Sequence, residues 1–292
     1  MKFVKMHGTG NDFILFTIPA EKSEVRYSGH PCASGRSAFG GQAYFTKSRI
    51  KELCDRHFGI GADGVILILP TRKKTNDFRM RIFNADGNEA EMCGNGIRCL
   101  GKLVYDYHLT SKKELLIETL SGEIPIKLFT KNNQVEKVTV NIPNKPKITP
   151  LPHSEFQSIL GNKKYGVIRV LLGNPHCVIF IQNNIKNFPV EKYGPLIEKH
   201  RLFPQGTNIE FVEIRNKSFI KMRVWERGVG ETLACGTGAC ASVVAGITKN
   251  KLQPNNVKVK LPGGMLEVSW QKILSLTGPA ETVFEGNISS YK

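Results

Sequence analysis

The chain has 292 residues, a length that favours two domains, and its 40% hydrophobic content is enough to build sizeable cores. No run of about 18 apolar residues could span a membrane. Gly8–Asp12 interrupts the N-terminus before any signal-peptide core forms, so a cytoplasmic address is expected. The net charge of +16 raises the question of nucleic acid. The basic residues are scattered and no aromatics interleave with them, which favours a solvated lysine-rich surface over a binding stripe.

In chain order, a strand-like Met1–Met6 leads through a Gly-rich turn to a strand at Phe13–Thr17. Tyr27–Gln42 is rich in Gly, Ser and Ala and reads as an inserted loop. Lys47–Phe58 suits an outer helix. Strands follow at Val65–Leu69, Phe78–Phe83, Glu114–Glu118, Ile124–Phe129 and Val135–Ile142. A helix over Gly94–Tyr107 is predicted from Ile97, Leu100 and Val104. Pro143–Pro152 reads as a linker. Beyond it the strands are Tyr165–Leu172, Cys177–Ile181, Ile209–Ile214, Phe219–Trp225, Val257–Leu261 and Met265–Trp270. An outer helix is predicted at Pro189–His200, and an apolar one at Gly236–Lys249.

The chain repeats itself. Residues 80–96 and 222–238 share Met-Arg, an apolar pair, a Glu four residues before a Cys, and Cys-Gly-x-Gly, 142 positions apart (222 − 80; 235 − 93). Gly10-Asn11 and Gly173-Asn174 extend the match. Duplication of a domain accounts for this.

Cys-Gly-x-Gly at a helix start has a chemical meaning. The first helical turn leaves backbone N–H groups unpaired and carries the positive dipole end, which favours thiolate over thiol. The glycines let a ligand approach those N–H groups, and a carboxylate there is favoured. Abstracting a proton beside a carboxylate needs such stabilisation, and inverting the carbon needs a base on one face and an acid on the other. Two duplicated cysteines, Cys93 and Cys235, supply that pair.

The other cysteines have a plainer reading. Cys54, Cys99, Cys177 and Cys240 fit as buried apolar residues and Cys32 as an exposed loop residue. Seven cysteines, an odd number without an export signal, argue against a disulfide framework. No two of their spacings pair into a zinc site, so no metal is expected. His176 alone would read as structural, and Asn11, Asn84, Asn174, Asn208 and Glu226 as turn or cap residues. Gly236–Ala241 matches G-x-G-x-x-A but lacks the immediately preceding strand and the later acidic residue of a dinucleotide site.

The segments Phe3–Phe13, Asp55–Gly64, Asn84–Arg98, Gly173–Cys177, Glu226–Ala241 and Leu261–Gly264 together resemble the diaminopimelate epimerases, in order along nearly the whole chain. The combination of CGNGIR with ACGTGAC is specific to that family. The resemblance implies an α+β fold of two pseudo-symmetric halves, each a mostly antiparallel sheet rolled around a central helix, with the active site in the cleft between them. The halves would be 1–135 plus 281–292, carrying Cys93, and 136–280, carrying Cys235. The implied reaction interconverts LL- and meso-2,6-diaminopimelate for lysine and peptidoglycan synthesis, without pyridoxal phosphate or any other cofactor.

In that resemblance Cys93 and Cys235 are the acid/base pair, and Gly94, Asn95, Gly236 and Thr237 hold the reacting carboxylate. Asn11, Asn84, Asn174, Asn208, Glu226 and Arg227 bind the amino groups and the distal carboxylate. His176 and Glu226 tune the cysteines. The implied partner is the small-molecule substrate, in a homodimer, with neither nucleic acid nor membrane. The family has a shorter link than the one carrying Tyr27–Gln42, and Gly64 stands where some members have Gln. The rivals are a related racemase of another amino acid, such as histidine, and a basic nucleic-acid-binding protein.

Overall fold

The computed structural model describes residues 1–18, 45–143, 145–161, 165–182 and 184–288. The chain forms two compact units: Met1–Val140 with Pro279–Lys292, and Asn141–Gly278. The Tyr27–Gln42 insertion and its Cys32 lie outside the described residues. Among the described residues no helix is long and apolar enough to cross a membrane.

The first unit runs β1 (Lys2–Gly8), β2 (Asn11–Thr17), α1 (Lys47–Cys54), β3 (Gly64–Leu69), β4 (Phe78–Asn84), β5 (Glu89–Ala90), α2 (Gly94–Asp106), β6 (Glu114–Thr119), β7 (Gly122–Lys131) and β8 (Gln134–Ile142). β1 pairs antiparallel with β2 and with the chain's last strand, Glu281–Asn287. β2 runs parallel to β3, β3 antiparallel to β4, and β4 parallel to β6. β6, β7 and β8 form an antiparallel meander.

All six residues of β3, Gly-Val-Ile-Leu-Ile-Leu, are buried. Alternate side chains leave a strand on opposite faces, and the two faces of β3 are covered by different helices. Val65, Leu67 and Leu69 pack with Ile50 and Leu53 of α1. Ile66 points at the start of α2, where a Cβ on Gly96 would lie 2.8 Å from its Cδ1. α2 is almost wholly buried and touches β1, β2, β3, β4 and β7, so the sheet wraps around it.

The second unit repeats this order: β9 (Lys147–Leu151), a short α3 (Gln157–Leu160), β10 (Gly166–Leu172), β11 (Asn174–Ile181), α4 (Val190–Glu198), β12 (Asn208–Asn216), β13 (Phe219–Glu226), β14 (Gly230–Thr232), α5 (Gly236–Thr248), β15 (Val257–Leu261), β16 (Gly264–Trp270) and β17 (Leu274–Gly278). β10 and β11 form the hairpin, β12 lies parallel to β11, and β13 lies antiparallel to β12 and parallel to β15. α5 is the central helix, against β10, β11, β12, β16 and β17. Its sequence is apolar nearly all round, as a helix enclosed on every side requires. The fold is therefore α+β with two pseudo-symmetric halves.

Two expectations change, and one strand was not foreseen. The Pro143–Pro152 linker contains β9, which pairs with β10; Pro150 belongs to that strand, whose residues are half-buried or exposed, as suits a strand carrying proline. α1 ends at Cys54 rather than Phe58, because the Asp55 carboxylate accepts from the backbone N–H groups of His57 and Phe58 and turns the chain. The polar, mostly exposed strand Glu281–Asn287 has no apolar alternation to announce it.

A buried charge ties the β1–β2 hairpin to the loop before β3. Lys5, 5% exposed, bonds the Gly61 carbonyl and lies 2.6 Å from Asp12, which also accepts from Arg56. Burial alone would raise the Asp12 carboxyl, but the bonds from Arg56 and Lys5 outweigh it and bring it down to about 2. A carboxyl lowered on folding contributes stability above its unfolded value near 3.8, lost as pH falls towards 2. Asp12→Asn should therefore cost about 3 kcal/mol at pH 7, because Lys5 loses its counter-ion while still buried. In thermal melts the gap between variant and parent should narrow steadily between pH 4 and pH 2; a pH-independent gap would remove the carboxylate from this role.

Candidate active site

In the first unit Cys93 is the residue just before α2, extended at φ −136° and ψ 122°, and its side chain makes no capping bond to the helix. Its thiol lies 3.6 Å from Asn11 Oδ1, which also accepts from Asn95 Nδ2 at 3.2 Å. Asn11 is oriented from behind, since its Nδ2 donates to Asp63 Oδ2 at 2.7 Å and Asp63 accepts in turn from Arg56. The hairpin turn that delivers Asn11 has positive φ at Thr9 (55°) and Gly10 (89°), the geometry a two-residue connection needs.

Beneath the helix start lies Arg98, fully buried. Its guanidinium donates to the Gly94 carbonyl, Asn95 Oδ1, Thr9 Oγ1 and the Pro279 carbonyl. It thereby ties the first turn of α2 to the hairpin turn and to the chain's last segment. Gly8 has no room for a Cβ, which would lie 2.9 Å from Arg98 Nη2. Asn84 stands at the exposed end of β4.

In the second unit Cys235 holds the same place before α5, at φ −121° and ψ 112°, again without a capping bond. It is more enclosed than Cys93, 6% exposed, with Thr237 Oγ1 3.5 Å from its sulfur. Two carboxylates act on it. Glu226 hydrogen-bonds the thiol and accepts from the Thr232 hydroxyl. Burial raises the Glu226 carboxyl despite those bonds. The second carboxylate, Glu210, is fully buried and bonds His176 Nδ1 at 2.6 Å. His176 Nε2 faces Asn174 Oδ1 at 3.0 Å, and Asn174 Nδ2 reaches Thr237 Oγ1 at 3.5 Å.

The expectation that a helix start lowers its cysteine is reversed at Cys235. Burial pushes this thiol well up, the Glu226 and Glu210 charges push it further, and the Thr237 hydroxyl and the nearby Gly238 backbone offset only part of that. Cys235 is therefore a protonated thiol. Cys99 and Cys177, both fully buried, are likewise raised, Cys99 to about 12, as suits packing residues.

The remaining candidates of this unit lie at the ends of β12 and β13. Asn208 donates to the Pro175 carbonyl and accepts from the Arg227 backbone N–H at 3.0 Å. The Arg227 side chain is exposed and bonds the Gln205 carbonyl. It runs so close over Gly206 that a Cβ there would lie 2.9 Å from its Cδ.

Thus Asn11, Asn95 and Cys93 meet in one unit, and Asn174, His176, Glu226, Thr237 and Cys235 in the other. Sequence reasoning missed Lys5, Asp12, Arg56, Asp63, Arg98 and Glu210. Glu210 carried a usable signal: a carboxylate between Ile209 and Phe211, in a strand apolar on both faces, must be buried with a partner.

A profile of the family "Diaminopimelate epimerase" matches residues 3–144 and 168–283. The diaminopimelate epimerase of Halothermothrix orenii is 46% identical over 300 residues, covering 99% of this chain and 98% of that protein. That of Methanococcus maripaludis strain C6 is 43% identical, covering 99% of each. Among solved structures, a PhzF-family phenazine biosynthesis protein of Bacillus anthracis superposes with a TM-score of 0.71 at 15% identity, covering 99% of both chains. A hydroxyproline epimerase of Agrobacterium vitis gives 0.65 at 13%, covering 99% of this chain and 90% of that one. Two cysteines at the helix starts of duplicated units, with the family's sequence along nearly the whole chain, place this protein in the diaminopimelate epimerase family of isomerases.

Proposed function

We propose that this protein interconverts LL- and meso-2,6-diaminopimelate by a two-base mechanism in which Cys93 and Cys235 exchange the roles of base and acid. The observation that carries the reading is that each cysteine occupies the same uncapped position at the start of a buried helix. The first turns, around Gly94–Asn95 and Gly236–Thr237, present the positive end of a helix to an anion.

The chemistry follows from that placement. One thiolate removes the α-proton, and the electron pair left on carbon spreads into the adjacent carboxylate. Helix-end N–H groups stabilise the charge where it develops. The other thiol then gives its proton to the opposite face, which inverts the carbon and leaves the two cysteines with exchanged protonation states. Cys235, enclosed by Glu226 and Glu210, suits the role of proton donor in the first direction. Asn11 braces the Cys93 thiol and Asn174 reaches Cys235 through Thr237, and Asn84, Asn208 and Glu226 offer oxygens to the amino groups. Arg227, exposed on its glycine-lined stem, suits a bidentate grip on the distal carboxylate. The reading calls for no prosthetic group, and includes a cytoplasmic, homodimeric enzyme.

With LL-diaminopimelate in deuterated water, deuterium should enter the α-carbon as meso product forms. Cys93→Ser and Cys235→Ser should each cut net epimerisation by roughly 1,000-fold or more, because a hydroxyl is a far weaker base at neutral pH. Near-normal turnover by either variant would end the two-base assignment. Lysine, the same carbon chain without the second carboxylate, should not be racemised at a measurable rate. Arg227→Met should raise KM for diaminopimelate far more than it lowers kcat; comparable rates on lysine would point to another amino acid as substrate.

A further inference from the structure

The two units provide an internal comparison. Phe13 and His176 each follow two residues after the hairpin asparagine, and each pairs with the first residue of the parallel strand, Gly64 or Asn208. Two residues further along those strands stand Ile66 and Glu210. Both lie under the third residue of their central helix: a Cβ at Gly96 would meet Ile66 Cδ1 at 2.8 Å, and one at Gly238 would meet Glu210 Oε1 at 2.7 Å. The same slot is thus filled by an apolar pair in one unit and by a fully buried His–Glu pair in the other.

The fold does not require the polar pair, since the first unit builds the same substructure from Phe and Ile. Burying it is costly, and Glu210 Oε2 accepts no hydrogen bond from the described residues. We propose that Glu210 is a positioning residue for the proton step at Cys235: it anchors His176, and through His176, Asn174 and Thr237 it sets the hydrogen bonds around the Cys235 sulfur. This rests on the two-cysteine reading above.

The direction of the chain follows from its acceptors. His176 Nδ1 donates to Glu210 at 2.6 Å, and its Nε2 lies 3.0 Å from Asn174 Oδ1. Asn174 is thereby fixed with its NH2 group towards Thr237 Oγ1. The Thr237 hydroxyl then accepts from Asn174 and keeps its own proton for the sulfur. When the Cys235 proton passes to carbon, the thiolate left behind receives that O–H. The Glu210 charge, with that of Glu226, keeps the sulfur protonated until then.

The test uses the full-length enzyme with Glu210→Gln, which keeps the shape and removes the charge, and with His176→Phe/Glu210→Ile, which copies the first unit. Both should fold, the double variant melting no lower than the parent. Glu210→Gln should lower kcat about tenfold or more with KM within about twofold, and the double variant should lower it by roughly 100-fold. A second readout needs no substrate. In a Cys93→Ser background, iodoacetamide labelling of Cys235, followed by peptide mass spectrometry across pH, should reach its half-point about one pH unit lower when Glu210→Gln is added. The groups acting on the sulfur in that titration are Glu226, Glu210 and Thr237, with His176 acting on Glu226. An unshifted labelling profile, an unchanged kcat in Glu210→Gln, or an unfolded double variant beside a normal Glu210→Gln each overturns the proposal. If the parent enzyme leaves diaminopimelate untouched, the proposed reaction fails, and the labelling profile alone decides for or against Glu210.

Discussion

The structure turns on a helix start left deliberately open. A helix usually closes its first turn with a Ser, Thr, Asp or Asn side chain that accepts from the N–H groups of that turn, and losing such a cap costs about 1 kcal/mol. Cys93 and Cys235 occupy that capping position in extended conformation and make no capping bond. The helix start is thereby an electropositive cradle beside a sulfur. The surrounding sheet compensates by burying nearly all the rest of each helix. Glycine as the third helix residue lets Ile66 or Glu210 come up directly beneath it, where a Cβ would lie 2.8 or 2.7 Å from the side-chain end. The Cys-Gly-x-Gly spelling therefore serves two constraints at once, ligand approach above and close packing below.

Duplication makes the electrostatic differences legible. At equivalent positions 142 residues apart (240 − 98; 226 − 84), the first unit has Arg98 and Asn84 and the second has Cys240 and Glu226. The first helix start is braced by a buried guanidinium, and the second by carboxylates and an imidazole. Since one backbone accommodates both sets, neither set is demanded by folding. A single pair of identical thiols thus acquires two different environments, which an acid/base exchange with two partners can use.

Most of the fold was legible because burial leaves a periodic trace. Strands such as Ile124–Phe129 and Val135–Ile142 alternate buried and exposed residues, and the first central helix shows its apolar residues at helical spacing. The elements that escaped notice are held by pairing rather than by side-chain burial. Lys147–Leu151 and Glu281–Asn287 are partly or largely exposed strands whose residues would suit loops. The candidate site divides in the same way. The cysteines, glycines and asparagines stand in local motifs, whereas Lys5, Arg98 and Glu210 act through contacts with residues far away in sequence. Arg98 sits in a helix stripe that reads as apolar, and only the fold shows the oxygens around it.

At Cys235 two general rules compete, and burial prevails. A helix N-terminus favours thiolate, but its influence fades within a turn, whereas complete enclosure beside two carboxylates penalises the charged form from several directions. The outcome has chemical value. A thiol held protonated by its surroundings is a reservoir from which a proton can pass to carbon. Once it has lost that proton, its thiolate is a stronger base than an ordinary one, which suits it to retrieve a proton from a weakly acidic α-carbon in the reverse direction. The substrate's α-ammonium group and the helix-end N–H groups would temper that charge only when substrate is bound. On the proposed two-cysteine chemistry, such a site would withhold its reactive thiolate until the carbon acid is in place.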